Sequence, residues 1–319
     1  MSGETLHVYF LGTAGALPTT MRNPPCIMVK RGPDTLLFDC GEGSQQQMMR
    51  ARTGFLVDGI FITHWHADHF LGIVGLVQTL SFMGRKEPLP VYGPEWVHEA
   101  VSGIRSLSRF NVKFPIQSVE MKHGSSLMFD GYTVWAFETN HGLGSVGYVL
   151  EEDPRPGRFN RQKAVELGIA PGPLFGRLQR GEPVRIVRDG IAVDIHPDEV
   201  MGPPRPGRKI VYTGDTRPVH HRICDMCSDA DLLIHDATYD DESMERAREV
   251  FHSTAGEAGM VADAIGAHTL ALVHISSRYT STASHIRDAE KRFGGKVIAP
   301  SDLDMMEIPF RDNGGQKSE

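Results

Sequence analysis

The chain has little cysteine, no long apolar run and no excess of positive charge. Its 319 residues include four cysteines, Cys26, Cys40, Cys224 and Cys227, too few for a disulfide-stabilised protein of this size. Cys224 and Cys227 have metal-like C-x-x-C spacing, but no second pair completes a site, so two thiols on a helix are expected. No apolar run approaches the roughly 18 residues of a membrane helix, and no basic-then-apolar leader opens the chain. The sequence therefore argues against membrane and secreted proteins and predicts a protein of the reducing cytoplasm.

Positive charge is scarce on average, because 33 Lys and Arg stand against 40 Asp and Glu, for a net charge of −7. Since proteins bind nucleic acids largely through phosphates, this average argues against such a partner. The distribution of charge argues otherwise. Residues 154–188 contain eight basic and two acidic side chains, a net charge of +6 that leaves −13 for the rest of the chain. This segment therefore suits a phosphate backbone.

Apolar runs of strand length alternate with segments of helical periodicity along most of the chain. The apolar runs include 6–11, 26–30, 35–39, 59–63, 133–138, 209–213, 231–235, 269–274 and 296–299. The helical segments are 43–52, 70–83, 94–107, 254–266 and 281–293. This pattern predicts an α/β or mixed α+β fold in which helices cover the sheets.

Residues 154–188 interrupt the alternation, since they are rich in Pro, Gly and Arg and poor in apolar runs. A loop of this length without regular structure is uncommon in a compact domain and is usually functional. We therefore expect a single domain over residues 1–319, with a flexible, protruding arm inserted at 154–188. The arm is expected to have no core of its own.

The most informative motif is the run His-x-His-x-Asp-His at residues 64–69, directly after an apolar strand. In extended chain His64 and His66 project to the same side, and Asp68 and His69 then enter the start of a helix. Imidazole nitrogen and carboxylate oxygen are ligands that Zn²⁺ prefers. A surface histidine cluster is the alternative, but the flanking apolar strand and helix argue against it.

Three further candidate ligands, His141, Asp215 and His274, each come at or just after the end of an apolar run. In α/β sheets the carboxyl ends of strands carry the functional groups. Any one of these residues alone is more often structural than a ligand. Together with the run at 64–69, they indicate a site with enough ligands for two metal ions.

With these residues in place, the chain strongly resembles the metallo-β-lactamase superfamily, whose hallmark is the His-x-His-x-Asp-His run. The resemblance implies two Zn²⁺ per subunit and the αβ/βα four-layer sandwich, in which two β-sheets pack face to face with helices outside. One zinc would be bound by His64, His66 and His141, the other by Asp68, His69 and His274, with Asp215 bridging the pair. The superfamily includes lactamases, thioester hydrolases, lactonases and nucleases, so the metals imply hydrolysis but not the substrate.

Four further features resemble the ribonuclease Z family, the endonucleases that process the 3′ ends of tRNA. Residues 170–178, Ala-Pro-Gly-Pro-Leu-Phe-Gly-Arg-Leu, are similar to that family's Gly-Pro-rich exosite for the tRNA elbow. Residues 11–23 are similar to its N-terminal loop, although the Pro-Pro-Cys that follows departs from the small residues usual there. The sequences His-Ser-Thr-Ala from 252 and His-Ile-Ser-Ser-Arg-Tyr from 274 match two more family motifs.

This resemblance implies a zinc-dependent endoribonuclease that cuts precursor tRNA after the discriminator nucleotide and leaves a 3′-hydroxyl on the tRNA. Asp68 would act as general base and His252 as proton donor to the leaving oxygen, with Asp236 as a candidate to orient His252. The residues implied to contact the substrate are Arg22, Asn23, Gly172, Pro173, Arg177, Arg180 and Arg278. The family resemblance also implies a homodimer.

Each of these assignments has an alternative. Arg22 and Arg278 could equally be solvated surface arginines. Residues 172–178 could form a plain turn-rich loop, and His252 could belong to the region that caps a helix. A different hydrolase on this fold, acting on a small phosphodiester or a thioester, predicts no affinity for tRNA. A metal-dependent RNA-binding module predicts binding without turnover.

Overall fold

The computed structural model describes residues 4–107, 112–142, 144–188, 190–218 and 225–311. The chain divides into two compact units. The main unit comprises residues 1–151 and 208–309, and the inserted unit comprises residues 152–207 with 310–319. Among the helices in the described ranges, none combines the length and the apolar character needed to cross a bilayer.

Two large sheets form the frame of the main unit. The described strands, in chain order, are β1 (Leu6–Gly12), β2 (Ala14–Gly15), β3 (Cys26–Arg31), β4 (Asp34–Phe38), β5 (Gly59–Phe61), β6 (Leu89–Gly93), β7 (Ile116–Glu120), β8 (Ser126–Phe129), β9 (Tyr132–Glu138), β10 (Val146–Glu152), β11 (Val184–Arg188), β12 (Ile191–Ile195), β13 (Lys209–Tyr212), β14 (Leu232–Asp236), β15 (Thr269–Val273), β16 (Ile275–Ser276), β17 (Lys296–Ile298) and β18 (Met305–Glu307). One seven-stranded sheet has the order β18-β1-β3-β4-β5-β6-β7, and the other has the order β17-β15-β14-β13-β10-β9-β8.

Helices cover the outer faces of both sheets. The described helices, in chain order, are α1 (Ser44–Arg50), α2 (Ala67–Phe70), α3 (Gly72–Phe82), α4 (Val97–Leu107), α5 (Arg161–Glu166), α6 (Pro173–Gln179), α7 (Met244–Glu249), α8 (Ala255–Ala264) and α9 (Ala283–Glu290). Residues of α1, α3 and α4 pack in one apolar cluster with the first sheet, and residues of α8 and α9 pack in another with the second sheet.

The inner faces of the two sheets pack against each other because apolar residues alternate along their strands. Leu6, Val8 and Phe10 of β1 are buried in one cluster with Tyr148 of β10 and Ile234 of β14. With helices outside both sheets, this arrangement is the αβ/βα four-layer sandwich. The fold class expected from the sequence is confirmed.

One helix of the main unit differs from its prediction in a way that shapes the site. The helix predicted over 70–83 is observed as two helices, α2 and α3, that meet at Leu71. At this point the Gly72 N–H donates to the carbonyl of Cys40, 2.9 Å away, and a Cβ at Gly72 would lie 2.0 Å from the Gly41 carbonyl oxygen. The break separates the short α2, which contains Asp68 and His69, from the longer helix behind it.

The inserted unit has a fold and a core of its own. It contains α5, α6 and the antiparallel hairpin β11–β12. Its buried apolar residues are Ala164, Ile169, Leu178, Val184, Ile195 and Val200. The expectation of an arm at 154–188 without a core was therefore wrong. Its apolar residues occur singly rather than in runs, and the last two of this cluster lie beyond residue 188.

Candidate metal centre

The motif at residues 64–69 follows β5 and continues into α2, at the carboxyl end of a strand that pairs in parallel with both neighbours. The Thr63 N–H and hydroxyl donate to Asp39 Oδ1 at 2.8 and 3.1 Å, which fixes the chain where the motif begins. His66 directly precedes α2, so Asp68 and His69 fall in the first turn of that helix. The motif thus changes from extended chain to helix within six residues, as its spacing predicted.

A first group of side chains contains His64, His66, His141 and Asp215, each with one ligand atom within 4.8 Å of the others. His64 Nε2 lies 2.9 Å from His66 Nδ1 and 3.7 Å from Asp215 Oδ2. His141 Nε2 lies 3.3 Å from His66 Nδ1 and 3.7 Å from Asp215 Oδ2. Three imidazoles and a carboxylate in this arrangement are a donor set that suits Zn²⁺.

A second group contains Asp68, His69 and His274. The Nε2 atoms of His69 and His274 each lie 3.5 Å from Asp68 Oδ2. Asp215 lies between the two groups, because its Oδ2 is 3.3 Å from His69 Nε2 and its Oδ1 is 3.3 Å from His274 Nε2. The structure therefore brings all seven predicted ligand residues together around a shared carboxylate.

Tight backbone packing surrounds the two groups. Gly214, with a φ of +58°, precedes Asp215, and a Cβ at Gly214 would lie 2.7 Å from the side chain of Thr63. His274 has a φ of 61°, which is uncommon for a residue other than glycine. A Cβ at Gly15 would lie 2.6 Å from the His274 carbonyl oxygen. Backbone strain of this kind persists only where the surrounding structure holds it, and it is concentrated at functional sites.

The unpaired atoms of the cluster test whether it fits a metal. His69 Nε2, Asp215 Oδ1 and His274 Nε2 are buried and have no hydrogen-bond partner among the described residues. Buried polar atoms are normally paired, because leaving one unpaired costs about 1–3 kcal/mol. All three are atoms that coordinate metals, and they meet at one carboxylate: His274 Nε2 lies 3.3 Å from Asp215 Oδ1, and His69 Nε2 lies 3.3 Å from Asp215 Oδ2. The residues present therefore fit bound metal.

Burial and charge act in opposite directions within the cluster. Burial alone raises the pKa of Asp215, but His274 and His69 hold it well below its ordinary value. Burial lowers the pKa of His64 well below its ordinary value, so this imidazole is neutral. Burial also lowers the pKa of His69, but Asp215 and Asp39 overcome this effect and raise it well above the ordinary value. Asp215 and His64 are therefore in the forms that bind metal, an ionised carboxylate and a neutral imidazole, whereas His69 releases a proton when metal binds.

Asp39 helps to orient two of the predicted ligands, His69 by direct contact and His64 through the hydroxyl of Thr63. Its Oδ2 lies 2.7 Å from His69 Nδ1 and accepts the Tyr212 hydroxyl at 2.8 Å. The Thr63 hydroxyl lies 3.0 Å from Asp39 Oδ2 and 3.0 Å from His64 Nδ1. Asp39 was not assigned to the site from the sequence. Its position directly after a buried strand was the available signal.

The other two buried imidazoles of the cluster are oriented by residues that follow β14 and α7. His141 Nδ1 lies 2.8 Å from the carbonyl oxygen of Phe251, and His274 Nδ1 lies 2.8 Å from Thr238 Oγ1. Partners of this kind fix the tautomer and the direction of a ligand imidazole. Neither Phe251 nor Thr238 was identified from the sequence, since both contacts join segments far apart along the chain.

His252 lies beside the second group. Its ring stacks on that of His274, with centroids 5.0 Å apart, and its Nδ1 lies 3.9 Å from Asp215 Oδ2. The candidate orienting residue Asp236 is its hydrogen-bond partner, with 2.9 Å between His252 Nδ1 and Asp236 Oδ2. Burial lowers the pKa of His252, but Asp236 overcomes this effect and raises it to about 9. The imidazole is therefore protonated at neutral pH.

Arg278 is exposed on the same side as His252. Its guanidinium lies over the ring of Tyr239, 4.8 Å from the centroid, and that ring lies 6.4 Å from the ring of His252. A planar guanidinium held on an aromatic ring is well suited to contact a phosphate.

Arg22 and Asn23 are engaged in contacts within the main unit. The Arg22 guanidinium donates to Thr13 Oγ1 and to the Pro300 carbonyl, and the Asn23 N–H donates to Asp302 Oδ2 at 2.7 Å. Burial lowers the pKa of Arg22, although nearby acidic residues oppose the effect. In the described contacts both residues therefore anchor their loop to residues 300–302.

Gly172, Pro173, Arg177 and Arg180 lie in the inserted unit. Pro173 is the first residue of α6, and Arg177 and Arg180 each donate from Nε to a carboxylate oxygen of Glu182, at 3.1 and 3.0 Å. Residues 152–207 contain nine basic and eight acidic side chains, a net charge of +1. The +6 of residues 154–188 is thus largely offset by acidic residues on either side of that range.

Three of the cysteines lie in the interior of the main unit. Cys26, Cys40 and Cys227 are fully buried, and Cys224 lies outside the described residues. Burial raises the pKa of Cys40 to about 12 and that of Cys26 well above its ordinary value. These two side chains are therefore thiols in the core, and thiols are poor nucleophiles and poor metal ligands.

Comparisons with known proteins place the chain among its relatives. A family described as "Beta-lactamase superfamily domain" matches residues 34–159 and 200–275. A ribonuclease Z of Methanosarcina acetivorans is 52% identical over 307 residues, which cover 96% of this chain and 99% of that relative. A ribonuclease Z of Myxococcus xanthus is 47% identical over 313 residues, which cover 96% of this chain and 99% of that relative. The crystal structure of human tRNase Z, short form, has a TM-score of 0.69 and 27% identity, covering 95% of this chain and 100% of that chain.

Proposed function

The chain belongs to the ribonuclease Z family of the metallo-β-lactamase superfamily, and on that premise we propose that it removes the 3′ trailer from precursor tRNA. The proposed cut follows the discriminator nucleotide directly and leaves a 3′-hydroxyl on the tRNA. The observation that carries the proposal is the convergence of seven His and Asp residues in a chain of this family. The relatives named ribonuclease Z, together with the similar human tRNase Z, support tRNA as the substrate.

We propose that each subunit holds two Zn²⁺. One would be held by His64, His66 and His141, the other by Asp68, His69 and His274, and both by Asp215. The inward-facing nitrogen and oxygen atoms without a hydrogen-bond partner support this assignment. When bound, zinc supplies positive charge and Lewis acidity at the scissile phosphate.

Asp68 is the proposed general base. Its Oδ2 accepts the Ala16 N–H at 3.1 Å and lies 3.5 Å from the Nε2 atoms of His69 and His274. Although burial alone raises its pKa, His274 and His69 lower it below the ordinary value. The carboxylate therefore stays ionised and can take a proton from the attacking water.

His252 is the proposed proton donor to the leaving oxygen. The buried Asp236 holds its Nδ1 and leaves Nε2 as the second proton-bearing atom of the ring. Because its pKa is raised to about 9, the imidazole is protonated at neutral pH and can donate. Proton transfer of this kind typically contributes about 10²–10⁴-fold to a rate.

Recognition of the RNA is proposed to use surfaces beyond the metal centre. Arg278, exposed near His252, is assigned to a substrate phosphate. In the inserted unit, the start of α6 and its exposed arginines are assigned to the tRNA, through Gly172, Pro173, Arg177 and Arg180. Arg22 and Asn23 are proposed to shape the N-terminal loop against the RNA. On the family resemblance and the low cysteine content, the working form is proposed to be a cytoplasmic homodimer.

Gel analysis of a precursor tRNA incubated with the purified protein tests this function. We expect a single cut after the discriminator nucleotide that a chelator abolishes and added Zn²⁺ restores. Binding without cleavage in the presence of Zn²⁺ would support the RNA-binding alternative. Hydrolysis of a small phosphodiester or thioester without any tRNA affinity would support a different hydrolase.

A further inference from the structure

The hydroxyl of Thr238 lies at a junction between a buried carboxylate and two imidazoles. Its Oγ1 is 2.7 Å from Asp236 Oδ1, 2.8 Å from His274 Nδ1 and 3.2 Å from His252 Nδ1. Asp236 is 0% exposed and Thr238 is 5% exposed, so these contacts are shielded from solvent. Thr238 therefore connects a proposed zinc ligand to the residue pair that is proposed to protonate the leaving group.

The positions of the protons follow from what each group can donate. An ionised carboxylate only accepts, so Asp236 Oδ1 accepts both the Thr238 hydroxyl and the Thr238 N–H, the latter at 2.9 Å. Asp236 Oδ2 accepts from His252 Nδ1 at 2.9 Å. A hydroxyl has one proton, and Thr238 gives it to Asp236, so its oxygen can only accept from His274. His274 therefore has its proton on Nδ1 and its free electron pair on Nε2.

We propose that Thr238 is a positioning residue that fixes His274 in its metal-binding tautomer and ties that ligand to the Asp236–His252 pair. Because the hydroxyl has a single proton, it donates to Asp236 and accepts from His274. Thr238 itself does not touch the substrate. The inference rests on the proposed function, because it takes His274 as a zinc ligand and His252 as the proton donor.

Thr63 supplies a matched control. Its hydroxyl also lies between a buried carboxylate and a proposed ligand, at 3.0 Å from Asp39 Oδ2 and 3.0 Å from His64 Nδ1. Asp39 in turn contacts His69, another proposed ligand. The Thr63 hydroxyl is therefore connected to two proposed zinc ligands, to His64 directly and to His69 through Asp39. The same substitution at the two threonines separates an effect on metal binding from an effect on the proton donor.

The first experiment measures zinc binding and needs no RNA. Metal-free full-length protein and its Thr238→Val, Thr238→Ser and Thr63→Val variants are titrated with Zn²⁺ against a chromogenic chelator. We expect Thr238→Val to weaken one of two zinc-binding steps about 10–100-fold, and Thr238→Ser to restore it. In ¹⁵N spectra, His274 should be protonated at Nδ1 in the wild type and in Thr238→Ser, and should lose this preference in Thr238→Val. Unchanged zinc affinity and an unchanged tautomer in Thr238→Val would overturn the proposal.

The second experiment compares leaving groups at saturating zinc. Precursor tRNA releases an alkoxide that needs a proton, whereas bis(p-nitrophenyl) phosphate releases p-nitrophenolate, which does not. We expect Thr238→Val to lose at least about tenfold more rate on the RNA than on the small ester, and Thr63→Val to lose equally on both. Equal losses for Thr238→Val would overturn the link to His252. Failure of the wild type to cut precursor tRNA would count against the proposed function alone, since the zinc titration decides on Thr238 independently.

Discussion

The main unit and the inserted unit hold their proposed functional side chains in different ways. In the main unit His64, His69 and Asp215 are at most 4% exposed, and Thr63 and Asp39 orient the two imidazoles. In the inserted unit the side chains of Arg177 and Arg180 are 47% and 59% exposed, and both are paired with the carboxylate of Glu182. Buried polar groups tolerate little misplacement, whereas exposed ion pairs rearrange easily. This difference suits the proposed roles, in which the buried centre of the main unit carries out the chemistry and the exposed surface of the inserted unit binds the RNA.

The largest expected effect is on cleavage, when the proposed general base of the main unit, Asp68, is replaced. We expect Asp68→Ala to lower kcat for precursor tRNA about 10²–10⁴-fold without weakening tRNA binding, because the base acts on the attacking water. Single-turnover cleavage and filter binding measure the two quantities separately. Glu290→Ala, at an exposed position on α9, is the control and should match the wild type in both. A native rate of cleavage in Asp68→Ala would contradict the mechanism.

The converse experiment removes the inserted unit. Arg155 and Arg205 exchange backbone hydrogen bonds of 2.7 and 2.9 Å, so a two-residue turn can replace residues 156–204. We expect KM for precursor tRNA to rise on the order of 10–100-fold, because phosphate contacts are lost. Hydrolysis of bis(p-nitrophenyl) phosphate should stay within about twofold of the wild type. Equal losses of activity on precursor tRNA and on bis(p-nitrophenyl) phosphate would contradict the proposal that the inserted unit acts in RNA binding alone.

Metal removal should affect the stability of the two units unequally. Chelation leaves the buried His69, Asp215 and His274 atoms without a partner, so the main unit should lose about 3–4 kcal/mol. For a unit of this size, that loss lowers Tm by about 6–16 °C in calorimetry. Amide exchange within α5, α6 and the β11–β12 hairpin should be unchanged. Loss of protection there on chelation would indicate that the inserted unit depends on the metal.

The smallest effect concerns the surface charges of the inserted unit. Arg177→Ala combined with Arg180→Ala should raise KM for precursor tRNA a few-fold and reduce the slope of log affinity against log salt by about 2. Arg185→Ala is the control, because Arg185 is an exposed arginine of the same unit, paired with Asp194 at 2.6 Å, that is not assigned to the tRNA. An unchanged salt slope in the double variant would remove these arginines from the interface.

The two units also differ in how far their sequences predict them. The run at residues 64–69 predicts its own geometry, because the change from strand to helix fixes where four side chains point. Asp215 and His274 were predicted from their places after β13 and β15, whose parallel pairing with β14 brings these strand ends to one edge of a sheet. His141 was predicted in the same way after β9, a strand that pairs antiparallel with β8. Strands of the main unit such as β1, β4, β13 and β15 were predicted because their apolar residues form runs, whereas no run was named for β6, β7, β8 or β10.

What the sequence did not predict depends on contacts between distant segments. Thr238 is one threonine among many until the fold brings its hydroxyl to His274, 36 residues further along the chain. The core of the inserted unit escaped notice because its apolar residues are isolated and continue past residue 188 to Ile195 and Val200. The local charge of +6 was misleading for the same reason, since residues 154–188 end before Asp194 and the acidic residues near it.

The backbone pairing of Arg155 with Arg205 has a consequence for the evolution of this chain. Strands β10 and β13 are already paired at Glu151 and Lys209, so the residues between Arg155 and Arg205 occupy the place of a hairpin loop. The entropic cost of closing a loop grows only logarithmically with its length. During evolution this insert can therefore become longer or shorter, or be exchanged as a unit, while β13, the strand before Asp215, keeps its register with β10.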